Sequence, residues 1–402
     1  MVNDGSAVAE VQGLYGPFSF TEKLLQKIWL HGDFDHRAAR LADGRTLRII
    51  HPGKWNLLGG PDFKDARLAI GDGVEITGDV ELHLRAGDWL AHGHASDPAY
   101  DRVVLHVVLF PAEQGYLTLG SAGLEIPLLV LLALLPHDLE EFAADESVEA
   151  LTGKSLANAP GELAALAQPL LLALLRAHAE QRWRRKVHFA RVRLERLGWE
   201  TACHYGALEI LGYRFNRSPM LRIAERWRLQ DWSSILPAEV DEVFAAEAGS
   251  WSGQGARPAN HPRTRLHQYA RWVLASPDWP ERFAQLAALM PAIPRDIATR
   301  EVRRRYRFTA LRDNMGRSIC GGALGGTRLD NLVCDALFPL HAARSGASFD
   351  FGIWFNWFPG DQPPTLMRAL RQLSVCDGRG QPTCHGFAQG LLDWCIARDA
   401  RR

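Results

Sequence analysis

The sequence predicts an α+β fold, with an N-terminal mixed sheet flanked by helices and then a mainly α-helical domain. Three observations predict it. Between residues 46 and 110, short β-prone runs alternate with Gly-, Pro- and Asp-rich breaks. One of those runs, VVLHVVLF at 103–110, is apolar throughout, as in a strand buried on both faces. Beyond residue 130 the apolar residues recur mainly at helical spacing.

The length, 402 residues, suggests two or three domains. The pattern divides into a disordered 1–15, an α/β domain over 16–135 and a helical domain over 136–402 with room for two subdomains. Phe18 to Leu30 predicts an amphipathic helix with Thr21 as N-cap and Leu24, Leu25, Ile28 and Trp29 as its apolar stripe. Asp43-Gly44 marks a tight turn. Thr46 to His51, Phe63 to Gly71, Val74 to Leu84 and Val103 to Phe110 predict strands. Residues 52–62 are too rich in Gly and Pro for a helix. Residues 85–102 read as an irregular connector. Leu124 to Pro136 reads as a buried strand running into a buried helix. Later helices are predicted at 160–197, 208–213, 219–227, 263–275, 300–312, 330–343, 364–374 and 386–398, with a break at 253–262.

Composition excludes some functions. Lys plus Arg equals Asp plus Glu, 46 of each, so any nucleic-acid surface must be local. The N-terminus has no basic region followed by an apolar one, and 124–136 is too short to span a bilayer. A cytoplasmic protein with no membrane partner is expected. Six cysteines make no disulfide framework. Cys376, Cys384 and Cys395 with His385 would number four zinc ligands, yet their spacing matches no common zinc module, so buried cysteines are expected.

The chemistry concentrates between residues 62 and 106. On the strand 74–84, alternation puts Asp79, Glu81 and His83 on one face and Val80, Leu82 and Leu84 on the other. Pro61-Asp62 ends the Gly-rich loop before the preceding strand. The order of helix, strand, Pro-Asp loop, strand, Glu-x-His strand, connector and strand resembles the core of the PD-(D/E)XK nuclease superfamily. That resemblance implies a restriction-endonuclease-like sheet. It makes Asp62 and Glu81 ligands of Mg²⁺ or Mn²⁺, Glu22 a further metal contact, and His83 the residue that orients water. A phosphodiester is an anion that repels nucleophiles, so its hydrolysis needs a hard cation to neutralise developing charge and acidify water. His83 departs from the lysine usual at its position; histidine titrates near neutrality and itself binds metals. The connector also departs from the family, which usually places a helix there.

Two other readings stay open. One is a surface strand whose acids are merely solvated. The other is a histidine-rich centre for Zn or Fe built from His83, His92, His94, Asp97 and His106. A catalytically degenerate fold that binds nucleic acid or protein is the non-enzymatic alternative.

A second resemblance is more specific. Asn56, Gly60 to Phe63, Gly78 to His83, Asp88-Trp89, His92 and His94, Asp97 to Asp101 and Leu105 to Val108 resemble a bacterial family known as a domain of unknown function. Leu211-Gly212-Tyr213 with Asn216, Arg257-Pro258 with Asn260 and Pro262, and Gln389-Gly390-Leu391 extend the likeness. It implies that a histidine at 83 is normal for the family, and it implies no particular activity.

Arg182, Arg185 and Arg193 share one side of a predicted helix, a pattern that suits DNA or RNA phosphates or, alternatively, acids of a neighbouring helix. Arg257 and Arg265 flank a loop-to-helix junction, a place that suits anions or a rigid turn. The aromatic run 349–358 could stack bases but reads better as a core strand or packed corner.

Overall fold

Residues 8–13, 16–57, 59–73, 75–135, 139–150, 153–212, 216–252, 260–295, 297–346, 351–377 and 381–399 are described by a computed structural model. The chain divides into two compact units, Met1–Glu146 and Ser147–Arg402, so the break falls about ten residues later than the sequence pattern places it.

The N-terminal unit begins with β1 (Val8–Gly13) paired antiparallel to β2 (Gly16–Thr21). Val8–Gly13 lies inside the stretch expected to be disordered, and Phe18–Thr21 is strand where a helix start was expected. Helix α1 (Glu22–His31) starts at Thr21, whose hydroxyl accepts the Leu24 N–H at 3.2 Å, and stops at Gly32 in the left-handed conformation.

The main sheet contains β3 (Leu47–His51), β4 (Lys54–Trp55), β5 (Phe63–Ile70), β6 (Glu75–His83), β7 (Val103–Val108) and β10 (Leu128–Val130). Its order is β10-β7-β6-β5-β3, with β4 also paired to β5. The strands therefore follow one another across the sheet in chain order. β5 runs antiparallel to both β3 and β6, whereas β6, β7 and β10 run parallel. A parallel neighbour requires a crossover, and the 84–102 connector provides it with a single-turn helix α2 (Asp88–Ala91) and two 3₁₀ turns, His94–Ser96 and Pro98–Tyr100. A short hairpin, β8 (Thr118–Leu119) with β9 (Glu125–Ile126), follows β7. The apolar run after Leu124 supplies β9, β10 and a 3₁₀ turn at Leu132–Leu134 instead of an α-helix. Helix α3 (Leu139–Ala150) runs across the boundary between the units.

One face of the sheet makes the core. Val80, Leu82 and Leu84 with Leu105, Val107 and Leu109 are buried in one cluster with Leu24, Leu25, Ile28 and Trp29 of α1. The alternation of β6 then sends Glu81 and His83 to the other face.

The second unit is helical throughout, beginning with α4 (Gly153–Leu163), the long α5 (Gln168–Leu197) and α6 (Trp199–Gly212). The predicted 300–312 helix is two helices, Thr299–Arg305 and Phe308–Asn314, because Arg307 between them takes φ 53°. Residues 349–350 of the aromatic run lie outside the described residues; the described part forms a helix, Phe351–Asn356, in place of a strand, and buries Trp354, Phe355 and Trp357 fully, away from any base-stacking surface. The final helix, His385–Asp399, packs against α5. A Cβ at Gly390 would run into the Leu175 carbonyl, so only glycine permits that approach. All six cysteines are free and buried, as expected.

Buried His204 in α6 joins the helical core: one ring nitrogen lies 2.6 Å from the Tyr269 hydroxyl and the other 2.8 Å from the Trp227 carbonyl. Burial lowers its pKa to about 4 from 6.5. The folded state thus holds fewer protons than the unfolded chain between those values, so stability present above pH 6.5 is lost as pH falls towards 4. Replacing His204 by Gln should shrink the loss of unfolding free energy between pH 7 and 4 by about 2–3 kcal/mol, measured by urea denaturation at both pH values.

Candidate metal centre

The site is set by strand register. Phe63 pairs with Val80 across β5 and β6, so Asp62, one residue before β5, comes opposite Glu81. The loop that delivers Asp62 is braced from within. The Asn56 side chain donates to the Pro61 carbonyl at 2.9 Å, the Asn56 N–H donates to the Asp62 carbonyl at 2.7 Å, and Gly60 takes φ 95°. The Asp62 N–H then donates to Glu81 Oε2 at 2.9 Å, and the Leu82 N–H donates back to Asp62 Oδ2 at 3.0 Å. Gln26 of α1 donates to Asp62 Oδ1 at 2.6 Å and accepts from Trp55 Nε1 at 3.1 Å.

The second half is imidazole. In the parallel register His106 of β7 lies beside Glu81. His83 Nδ1 is 2.9 Å from His106 Nε2, and His106 Nδ1 is 2.8 Å from Thr118 Oγ1. The connector folds back so that His92 Nδ1 lies 3.2 Å from His83 Nε2 and His94 Nε2 lies 3.3 Å from Glu81 Oε1. Glu81 Oε1 is also 3.6 Å from His83 Nε2. Donor atoms of His83, His92 and His94 all lie within 4.8 Å of one another. Aromatic rings wall the cluster: Tyr100 stacks on His94 at 3.8 Å, and buried Trp89 meets the rings of His83, His94 and His106. The Trp89 indole donates to the Leu119 carbonyl at 3.0 Å, which fixes that wall.

Burial dominates the electrostatics. It raises the Asp62 carboxyl to about 8; the Glu81 charge adds to the rise, and the Leu82 and Gln26 hydrogen bonds oppose it. Glu81 is raised to about 8 by burial against the opposing Asp62 N–H. Burial depresses His83 to about 2 and His106 to about 3, helped by neighbouring imidazoles, and it also lowers His94. No lysine or arginine among the described residues pairs with Asp62 or Glu81. The cluster therefore combines acids that favour their neutral forms with imidazoles that keep their lone pairs. Such an acceptor-rich set fits a cation.

Asp62, Glu81, His83, His92, His94 and His106 are thus brought together. Glu22 is buried at the first position of α1, and its charge, with those of Glu81, Asp62 and Asp97, raises the Tyr100 hydroxyl after burial has done so. Asp97 is exposed and caps the turn that carries Tyr100, accepting the Ala99 N–H at 2.9 Å. Asp79 accepts the Asp65 N–H at 3.1 Å. Sequence reasoning missed Gln26, Trp89, Tyr100 and Thr118. Gln26 could have been found, since it stands one helical turn after Glu22. Trp89 and Tyr100 stood within the family motif, and Thr118 gave no signal.

The arginines have different partners. Arg182 bonds Gln389, Arg185 pairs with fully buried Asp393, and Arg193 pairs with Glu209 at 2.6 Å. Arg265 bonds Asn260 and Gln268. Arg182, Arg185 and Arg193 thereby join helices of the second unit, whereas the bonds of Arg265 stay within its own helix and the junction before it. Arg257 lies outside the described residues. Among the described residues no helix is long and apolar enough to cross a membrane.

A family model described as Protein of unknown function (DUF2851) matches residues 22–248, more than half the chain, and the chain belongs to that family. No curated protein and no solved structure matches it.

Because Asp393 is 1 % exposed, removing Arg185 leaves a buried carboxylate with His178, 2.8 Å from its other oxygen, in place of a permanent cation. Arg185→Ala should lower the unfolding free energy of the helical unit by about 3 kcal/mol, read from denaturant midpoints. A change below about 0.5 kcal/mol, the range of an ordinary surface substitution, would return Arg185 to the list of free phosphate ligands.

Proposed function

Membership of a family with no assigned activity leaves the site itself to be read, and we propose that the N-terminal unit is a divalent-metal-dependent hydrolase acting on phosphodiester bonds. The observation that carries this reading is the register that sets Asp62 against Glu81 on adjacent strands, with His83 on the Glu81 face. The motif order that resembles the PD-(D/E)XK nucleases supports the choice of bond. Mg²⁺ or Mn²⁺ is the metal implied by that resemblance; Zn or Fe is the alternative favoured by the imidazoles.

When bound, the cation would neutralise charge on the substrate and acidify water. Glu81 is the residue that would hold it, since one carboxylate oxygen is fixed by the Asp62 N–H and the other faces the imidazoles. Asp62, whose carboxyl is anchored by Gln26 and Leu82, stands next to Glu81 as the group that would take a proton from water once the charge of a bound cation favours its ionised form. DNA and RNA are the substrates the resemblance implies, but the paired arginines of the helical unit lend them no support.

Incubation of single- and double-stranded DNA and RNA, and of bis(p-nitrophenyl) phosphate, with Mg²⁺, Mn²⁺ or Zn²⁺ tests the reading. Glu81→Gln and Asp62→Asn should each reduce the rate by about 100-fold or more. Equal rates in all three proteins would remove the assignment. Retained nucleic-acid binding without cleavage would make the unit a degenerate binding module.

A further inference from the structure

Ligand atoms bound tetrahedrally to zinc at about 2.0–2.1 Å stand about 3.3–3.4 Å from one another. Three spacings around His83 and Glu81 are 3.2 Å for His83 Nε2 to His92 Nδ1, 3.3 Å for His94 Nε2 to Glu81 Oε1, and 3.6 Å for His83 Nε2 to Glu81 Oε1; donor atoms of the three histidines lie within 4.8 Å of one another, and Glu81 meets that group through His83 and His94. His94 is 8 % exposed, and its Nε2 is buried 3.3 Å from Glu81 Oε1 without the alignment of a hydrogen bond. A buried nitrogen left this way costs free energy unless something outside the chain completes it.

The row Thr118–His106–His83 admits a tautomer of His83 that suits a metal ligand. If Thr118 accepts from His106 Nδ1–H, then His106 Nε2 is an acceptor and receives the His83 Nδ1–H. His83 Nε2 is then left as a bare lone pair facing His92, His94 and Glu81. Orientation of a ligating imidazole through its other nitrogen is the usual arrangement in metal centres.

We propose that Glu81, His83, His92 and His94 form a four-coordinate transition-metal site, zinc by its donor set, with His106 and Thr118 as positioning residues that fix the tautomer of His83. The inference rests on the hydrolase reading for its use but not for its existence. It differs from the nuclease pattern by leaving Asp62 outside the ligand set and by recruiting two histidines from the connector. Soft and borderline imidazole donors select zinc over magnesium, which prefers carboxylate and water oxygens.

The full chain, purified without chelator from zinc-supplemented culture, should carry about one zinc per chain by elemental analysis. Its cobalt-exchanged form should show the intense visible bands of tetrahedral Co²⁺. His92 is exposed, so His92→Ala leaves the core intact and should weaken zinc binding by about 100-fold or more, with an unchanged far-ultraviolet circular dichroism spectrum. Thr118→Val, which touches no metal, should weaken it by about 10–100-fold. His94→Ala should convert the cobalt spectrum from four protein ligands to three. Wild type binding zinc no tighter than His92→Ala and His94→Ala would overturn the proposal. The row Thr118–His106–His83–His92 would then be a hydrogen-bonded imidazole chain. Zinc bound in this way without hydrolysis of any phosphodiester sinks the hydrolase reading and leaves the metal site standing. Magnesium-driven hydrolysis by a chain that binds zinc no better than its His92→Ala variant does the reverse.

Discussion

The pairing of Phe63 with Val80 is the constraint on which the candidate centre depends. It sets Asp62 opposite Glu81, and the two reciprocal bonds, Asp62 N–H to Glu81 and Leu82 N–H to Asp62, lock that alignment. A slip of one residue would turn Glu81 and His83 into the core and Val80 and Leu82 out of it. The apolar face of β6, buried against α1, forbids that slip. Hydrophobic burial on one face therefore fixes the position of polar groups on the other, with no requirement that the polar groups attract one another.

That arrangement has an electrostatic cost. Two carboxyls and the imidazoles of His83, His94 and His106 are gathered where burial disfavours their charged forms. A sheet built for stability alone would carry apolar residues at 81, 83 and 106, since β7 is otherwise a run of valine and leucine. His106 is fully buried in that run yet has both ring nitrogens engaged. Its polarity is retained where a leucine would pack well, which fits a residue kept for what it does to His83.

The sequence made the sheet legible because the pattern there is strong: alternation on β6, a doubly buried β7 and a Gly-rich break before Asp62. The gathering of Asp62, Glu81 and His83 was legible for the same reason, since period-two geometry and a Pro-Asp loop are local signals. Three things were not. The end of β2 hid inside an apparent helix, because Phe20 extends the four-residue spacing of Leu24 and Ile28. The role of Thr118 depends on a hairpin after β7, and no local pattern ties that hairpin to His106. The fate of Arg182, Arg185 and Arg193 depends on acids and amides more than 200 residues away for the first two and on Glu209 for the third. A basic helix face looks the same in one dimension whether its partners are phosphates or carboxylates.

The connector is where this chain parts from the nuclease pattern it resembles, and the departure has a physical consequence. A crossover between parallel strands is normally covered by a regular helix, whose side chains reach the sheet only along one stripe. Here the crossover is a single turn of helix followed by two 3₁₀ turns, and Gly93 takes φ 76° between His92 and His94. That irregular path brings two successive imidazoles onto the sheet face and lets Tyr100 stack behind one of them. The lysine that the nuclease pattern places two residues after the glutamate is a single fixed charge. His83 is instead joined by His92, which reaches its Nε2, and by His94, which reaches Glu81. The irregular path of the connector and the two imidazoles it lays on the sheet face are therefore one feature of the fold.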